Sequence, residues 1–439
     1  MIRRSTGWIA LYLLLVAGPL LVLMAGPRPP GVEFWWDFSK GLGFAAITMF
    51  GIQFALTARF KRASAPFGID IIYFVHRYLA WIALVLVLGH FVIIWLFFPE
   101  AAGPLDPREA AWEITAGRAA LALFALAVIS SQWRERFHLR YVLWRYSHVA
   151  FATAGFVAAV AHIVGVGYYT RVPATLALWL LLTLCWLGLA VWVRIVKPWQ
   201  LKHRPYRVVG VRSEGSDSWT LALEPDGHPG IRRFHPGQFA WVTLRSSPYA
   251  LREHPFSFSS APEDLPRVEF TIKALGPFTR TVKEVEPGER AYVDGPYGVF
   301  SPVRWNDAPG LVFIAGGVGI TPIMAMLRSL ARRGEKRPLV LFDANPSLDD
   351  VLFREEIDSL TGKVDLHVVH VLEHPPEDWT GEKGFLDADI LDRHLRKEGR
   401  AALAYFLCGP PAMTAAVERH LHALDVPESR IELEVFNLS

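Results

Sequence analysis

The chain has 439 residues, 52% of them hydrophobic, and a net charge of only +3 from 45 basic and 42 acidic side chains. A mean hydropathy of +0.26 over that length excludes a single ordinary soluble core and calls for two or three domains, with lipid as part of the solvent. The near balance of charge gives no reason to expect a nucleic-acid partner.

In chain order the membrane part comes first. Up to about Pro198 the sequence is a series of apolar runs, and beyond it polar and apolar residues alternate. Crossing a bilayer of about 30 Å takes roughly 20 helical residues, which predicts six spans near 8–24, 40–57, 69–98, 117–133, 144–166 and 172–193. The start Met1-Ile2-Arg3-Arg4 resembles a signal peptide. No A-x-A site follows it and five more spans do, so the first helix reads as retained.

Basic residues set the expected orientation. Arg3 and Arg4, then Arg59, Lys61 and Arg62, then Arg134, Arg136, Arg140 and Arg145 alternate with acidic or basic-poor loops such as 100–113. Both termini are therefore expected on the cytoplasmic side of a cell (inner) membrane, with the chain multi-pass. Cys185 and Cys408 are the only cysteines and fall in different predicted domains, so neither a disulfide nor a cysteine metal site is expected.

The third predicted span carries His76 and His90, and the fifth carries His148 and His162, each pair 14 residues apart. Fourteen helical steps fall roughly 40° short of four turns and rise about 21 Å, so each pair shares one face at two depths. The two spans run the same way. His76 can thus meet His148 at the inner level, and His90 can meet His162 at the outer one. Facing imidazoles of this kind suit two six-coordinate haems. A buried membrane histidine also serves as a structural hydrogen-bonding residue or a proton relay, and matched spacing on parallel spans argues against that. Arg77 and Arg145 lie near the inner pair, suited to haem propionates or to plain positive-inside bias. His138, in the basic loop, reads as a surface residue.

From about Tyr206 short runs punctuated by Gly and Pro (YRVVGV, WTLALEP, FAWVTL, RVEFTIKAL, RAYVDG) predict a small antiparallel β-barrel. After about Asp307 strands alternate with helices: LVFIAGG, ITPIMAMLRSLARRG, PLVLFDAN, DDVLFREEIDSL, VDLHVVHVL and AYFLCGPPAM. That rhythm predicts a parallel α/β sheet with its ligand at the strands' carboxyl ends. The fold class is a multidomain membrane protein: a helical bundle over 1–200, a barrel over 201–305 and a nucleotide-binding α/β domain over 306–439. Four motifs stand in this frame: HPFSFSS (254–260) with LGPFTR (275–280), DGPYG (294–298), AGGVGITP (315–322) and CGPP (408–411). The glycines of AGGVGITP, between a strand and a helix, let backbone N–H groups approach a pyrophosphate.

With these motifs in this order, the C-terminal half resembles the ferredoxin–NADP reductase fold, and the chain as a whole resembles the ferric reductase and NADPH oxidase superfamily. The resemblance implies that His76, His90, His148 and His162 ligate two b-type haems. It implies that His254, Pro255, Phe256 and Ser257 line FAD, with Ser257 near the flavin's reactive nitrogen, and that Gly276 and Thr279 meet the FAD phosphates. Where many reductases carry an arginine, this chain has His254, as membrane members do. Gly316, Gly317, Gly319 and Thr321 would meet the nicotinamide nucleotide, and Cys408 and Gly409 its ring. Phe436 is the candidate for the aromatic that covers the flavin in many relatives, although three residues follow it. Phosphate-preferring relatives usually carry an arginine where this chain has Asp343, at the end of a strand. A carboxylate there suits a ribose 2′-OH and repels a 2′-phosphate, so NADH is at least as expected as NADPH.

These parts imply an electron path from cytoplasmic NAD(P)H through FAD and the two haems to an outer acceptor. Dioxygen (giving superoxide), a ferric chelate, a quinone or a redox protein would all fit. The loop near GVGYYTR is too short for a substantial lid, and no EF-hand loop is present. Two other readings stay open: a haem-free, membrane-tethered flavin reductase serving a protein partner, and a non-enzymatic proton-relay bundle with a nucleotide-sensing domain.

Overall fold

The computed structural model describes residues 2–25, 33–58 and 68–435. It divides into two compact units, Met1–Pro198 and Trp199–Ser439. Phe436, expected over the flavin, and the basic residues Arg59, Lys61 and Arg62 lie outside the described residues.

The first unit is helical: α1 (Ile2–Ala25), α2 (Phe34–Thr57), α3 (Gly68–Phe97), α4 (Trp112–Gln132), α5 (Tyr141–Val166) and α6 (Pro173–Val191). Helices close every backbone hydrogen bond within the segment, which hydrocarbon requires. Among the described residues five helices, from α2 onward, are long and apolar enough to cross a membrane. The first helix is not one of the five, so a sixth crossing stands as a proposal. Large apolar side chains cover the outside, among them Val85, Leu96, Leu181 and Leu184, all exposed. Inside, Phe44, Phe50, Phe124, Phe156, Trp179 and Trp186 form one buried cluster. Phe50 stacks on Phe124 at 3.8 Å between ring centres.

The fourth helix begins at Trp112, five residues earlier than the apolar run predicts. Its first turns hold Glu113 and Arg118, whose charges hid the helix from hydropathy. Arg118 satisfies its guanidinium on the preceding loop, donating to the carbonyls of Ala102, Gly103 and Pro104 at 2.7, 3.1 and 2.6 Å.

The second unit holds two sheets. The first is antiparallel: β1 (Tyr206–Gly215), β2 (Ser218–Pro225), β3 (Phe239–Leu244), β4 (His254–Ser257), β5 (Val268–Lys273) and β6 (Arg290–Tyr297), in the order β4-β3-β6-β1-β2-β5. Beyond β4 its edges meet at one isolated bridge, Phe258 with Phe270, and among the described residues closure toward a barrel goes no further. The short β4 lies in HPFSFSS, where proline and serines conceal a strand from pattern reading.

The second sheet is parallel. Its elements are β7 (Leu311–Gly316), α7 (Ile320–Arg332), β8 (Leu339–Asn345), α8 (Arg354–Thr361), β9 (Leu366–Leu372), β10 (Glu382–Lys383), α9 (Ala388–His394), β11 (Ala404–Gly409), α10 (Pro411–Ala423) and β12 (Ile431–Val435). The strand order is β10-β9-β8-β7-β11-β12. Strands β7 and β11 are buried along their whole length, as central strands covered on both faces must be, which is why each reads as an unbroken apolar run. The chain builds outward from β7 and then returns to β11 on its other side. This reversal is the point where such sheets open a ligand crevice.

Arg328 of α7 ties the sheets together. Its guanidinium donates to both carboxylate oxygens of Glu356 at 2.7 and 2.6 Å and to the Ser259 carbonyl at 2.6 Å, with Glu269 at 3.6 Å. Burial opposes its charge, and the neighbouring carboxylates outweigh that and hold its pKa above the ordinary arginine value. Breaking a buried pair costs about 3–5 kcal/mol. Glu356 is 36% exposed, so Arg328→Met is expected to remove about 2 kcal/mol, read as a lower denaturation midpoint. A change within about 0.5 kcal/mol would deny the arginine this role.

Candidate functional site

In the first unit the four histidines meet as two pairs. His76 faces His148 and His90 faces His162, each with ring centres 6.3 Å apart and ring planes crossing at 70° and 61°. Both pairings together require α3 and α5 to run in the same direction. Two imidazole–metal bonds of about 2 Å, with roughly 1.2 Å from each nitrogen to its ring centre, span about 6.4 Å. The observed spacing fits one metal between each pair. Among the described residues no third His, Cys, Asp or Glu joins either pair to form a metal-holding group, so each pair offers a metal two facing imidazoles. That donor set fits a haem.

Three rings are aimed by the helices behind them. The His90 Nδ1–H points at the Ser39 carbonyl, 3.0 Å away, and lies 2.8 Å from Ser39 Oγ. His162 Nδ1–H donates to the Glu113 carbonyl at 2.8 Å. His148 Nδ1 lies 2.9 Å from Ser131 Oγ and 3.3 Å from the Ala127 carbonyl. A carbonyl only accepts, so these contacts put the proton on Nδ1 and leave Nε2 with the lone pair a metal takes. Close approach needs small residues. A Cβ on Gly117 would stand 2.8 Å from His162 Nδ1, and one on Gly43 would stand 3.4 Å from the His90 ring.

These supports repeat. Ser39 and Gly43 on α2, four residues apart, recur 14 residues later as Gln53 and Thr57; on α4, Glu113 and Gly117 recur as Ala127 and Ser131. The supporting positions on α2 and α4 thus lie at the same 14-residue interval as the histidines, with different residue types at the two levels. Around His90 and His162 lies a cavity, part of it open to the protein surface. Apolar walls including Phe50 and Phe124 line it, and Lys40 and Arg118 bring positive charge.

In the second unit the glycine turn and CGPP converge. Strand β11 pairs with β7, Cys408 opposite Ala315. A Cβ on Gly319 would fall 2.1 Å from the Cys408 carbonyl, and one on Gly409 3.2 Å from the Gly316 backbone. Gly317 has φ +53°, in the left-handed region. The switch point of the sheet is therefore floored by Gly316, Gly317, Gly319, Cys408 and Gly409. The Thr321 hydroxyl there is buried without a partner among the described residues. Burial pushes the Cys408 thiol well above its ordinary pKa, and Glu434 adds to this. The thiol is held neutral and is unsuited to act as a thiolate.

On the antiparallel sheet, β4 pairs with β3, which sets Ser257 opposite Phe239 and Pro255 opposite Trp241. The Ser257 hydroxyl is also buried without a partner among the described residues. A buried orphan hydroxyl is costly unless a ligand meets it, so both fit a bound cofactor. The His254 ring stacks on Phe278 at 3.9 Å, and the Phe256 ring lies 6.2 Å from that of Phe278. Thr279 Oγ1 accepts the amide protons of Leu275 and Gly276 at 2.9 and 2.8 Å. The loop thereby caps itself through the Thr279 hydroxyl, which also donates to the Gly276 carbonyl at 3.2 Å.

Asp343 departs from expectation. It is 1% exposed, with one oxygen accepting from Asn345 Nδ2 at 2.9 Å and the other 3.2 Å from His370 Nδ1. Its carboxylate is engaged from β9, because His370 stands beside it in register on the neighbouring strand. Sequence reading ended the strand at Asp343, two residues short of Asn345, and missed this partner 27 residues on.

Comparison with known proteins agrees with this division. Residues 42–160 match the family described as Ferric reductase like transmembrane component. Residues 313–419 match the Oxidoreductase NAD-binding domain. The chain is similar to NADH-cytochrome b5 reductase 1 of Cryptococcus neoformans, 35% identical over 176 residues, 37% of this chain and 59% of that protein. It is also similar to Nitrate reductase [NADPH] of Pichia angusta, 35% identical over 235 residues, 47% of this chain and 27% of the relative. Among solved structures, the ferredoxin reductase in carbazole 1,9a-dioxygenase aligns with 53% of this chain and 69% of its own at 26% identity, with a TM-score of 0.47. The chain spans about three fifths of the cytochrome b5 reductases it matches. A ferric reductase-like transmembrane component joined in one chain to an oxidoreductase NAD-binding domain is consistent with the ferric reductase and NADPH oxidase superfamily.

Proposed function

We propose that the protein moves electrons from NAD(P)H on the cytoplasmic side of the cell membrane to an acceptor at the outer face, dioxygen or a ferric chelate. The observation that carries this reading is the pair of histidine pairs, with equal 6.3 Å ring separations at two depths of one bundle. When bound, FAD would convert a two-electron hydride into single electrons, and two b-type haems would carry those electrons across the bilayer.

The chain's own residues hold and orient these groups. His76 with His148, and His90 with His162, supply axial nitrogens. Phe50 and Phe124 exclude water between the levels. Ser257 presents an unpartnered hydroxyl where a flavin edge would lie, beside the aromatic layer of His254, Phe256 and Phe278. At the sheet's switch point, Gly316, Gly317 and Gly319 bring backbone toward the nucleotide, Thr321 offers a hydroxyl, and Cys408 and Gly409 set a neutral floor for the nicotinamide. With Asp343 engaged by His370, NADH and NADPH both fit this reading.

A visible spectrum of detergent-purified protein before and after NADH, without oxygen, tests it. Flavin bleaching together with a b-type α-band is expected. Flavin bleaching alone would favour the haem-free reductase, and no colour the proton-relay bundle. His90→Ala should lose about half of the haem, because it removes one of two sites, while NADH still bleaches flavin; unchanged haem would refute the pairing. Gly319→Val drives a side chain into the Cys408 carbonyl and should slow flavin reduction by NADH at least about tenfold with haem content intact. A normal rate would place the nucleotide elsewhere.

A further inference from the structure

Another pair of histidines meets on the parallel sheet of the second unit. His367 is the second residue of β9, at the amino end of the strand, and His394 is the last residue of α9. The ligand crevice of such a sheet lies at the opposite, carboxyl ends. His367 Nε2 and His394 Nδ1 are 3.1 Å apart, with ring centres 5.3 Å apart and ring planes at 31°. The other nitrogen of His394, Nε2–H, donates to Glu382 Oε1 at 2.8 Å. A neutral His394 therefore turns the lone pair of Nδ1 toward His367.

This is the spacing of two imidazoles on neighbouring corners of one metal ion. Bonds of about 2.05 Å set two nitrogens about 2.9 Å apart at a right angle and about 3.3 Å apart at a tetrahedral angle. With roughly 1.2 Å from each nitrogen to its ring centre, tetrahedral rings stand about 5.3 Å apart. The bundle pairs differ, because ring centres 6.3 Å apart suit opposite corners instead. A proton shared between the two nitrogens would give the same contact. The surroundings of His394 go beyond what a shared proton needs.

Glu382 is itself clamped: Arg393 Nε donates to Oε1 at 3.1 Å and a terminal nitrogen to Oε2 at 2.6 Å. The Phe342 ring of β8 meets the His394 ring edge to face, centres 6.0 Å apart. A carboxylate behind an imidazole fixes its tautomer and raises its basicity as a metal ligand. The neighbouring cations are neutralised, Arg393 by Glu382, and Lys397 and Arg400 by Asp392 at 3.8 and 2.6 Å. His367 is exposed, so water reaches the remaining corners. Among the described residues no third His, Cys, Asp or Glu joins the pair.

We propose that His367 and His394 form a surface site for one divalent transition cation of the zinc class, completed by water, with Glu382 as its positioning carboxylate. His367 then carries its proton on Nδ1 and gives Nε2 to the cation, which ties β9 to α9. The site lies outside the electron path and does not rest on the haem reading.

The test is zinc binding to the haem-loaded full chain, purified without a polyhistidine tag and read by competition with a chelating dye. The wild-type protein should take up one zinc per chain more than His367→Ala or His394→Ala, with NADH bleaching flavin equally in all three. His367→Gln, whose amide can keep a hydrogen bond to His394, should lose the same zinc and guards against a variant that folds poorly. Glu382→Gln should weaken binding by about 10- to 100-fold. Zinc held elsewhere, by the bundle histidines included, cancels in these differences. Equal uptake by wild type and variants, or loss in only one of the two histidine positions, overturns the inference, as does undiminished affinity in Glu382→Gln.

Discussion

Each of three imidazoles in the bundle is held from behind by a hydrogen bond from its Nδ1–H to an oxygen on an adjoining helix, and the proposed chemistry of the first unit depends on this contact. Without it an imidazole is free to turn and to exchange its proton between nitrogens. With it, Nε2 faces the opposite ring at a fixed height. The bond also sets local packing, since the carbonyl can be reached only where the next turn carries a glycine or a small hydroxyl residue. Gly43, Gly117 and Ser131 occupy those places. Sequence, packing and ligand geometry therefore meet in one short motif, repeated at the two depths.

The second unit solves a different problem with a comparable economy. Its ligand crevice arises from strand order: the reversal between β7 and β11 leaves room at their carboxyl ends, and glycines keep that room free. Gly319 and Gly409 allow two backbones to touch where any side chain would separate them. The unpartnered hydroxyls of Ser257 and Thr321 lie in the segments the reductase resemblance assigns to flavin and nucleotide. Arg328 bonds one sheet to the other, so the two halves of this site are held together by a charge network as well as by packing.

Much of this was legible in the sequence, for identifiable reasons. Histidine is scarce in hydrocarbon, so four of them at equal spacing announce themselves. Glycine between a buried strand and a helix does the same. The supports behind the histidines carry the same spacing but act largely through backbone carbonyls, and residues such as Ala127 and Glu113 give no chemical hint of that. Arg328 looked like any arginine on an amphipathic helix. Asp343 reads as the end of a strand that in fact runs on to Asn345, and only the register of β9 reveals that His370 engages its carboxylate. The start of α4 was obscured by charges that the folded loop satisfies.

The central claim is that this bundle holds two metal-bearing macrocycles, one at each depth. The most direct measurement is the ratio of extracted haem to polypeptide and to flavin in protein purified after expression with ample haem. The account predicts two haems and one flavin per chain. One haem per chain, or none, would contradict it.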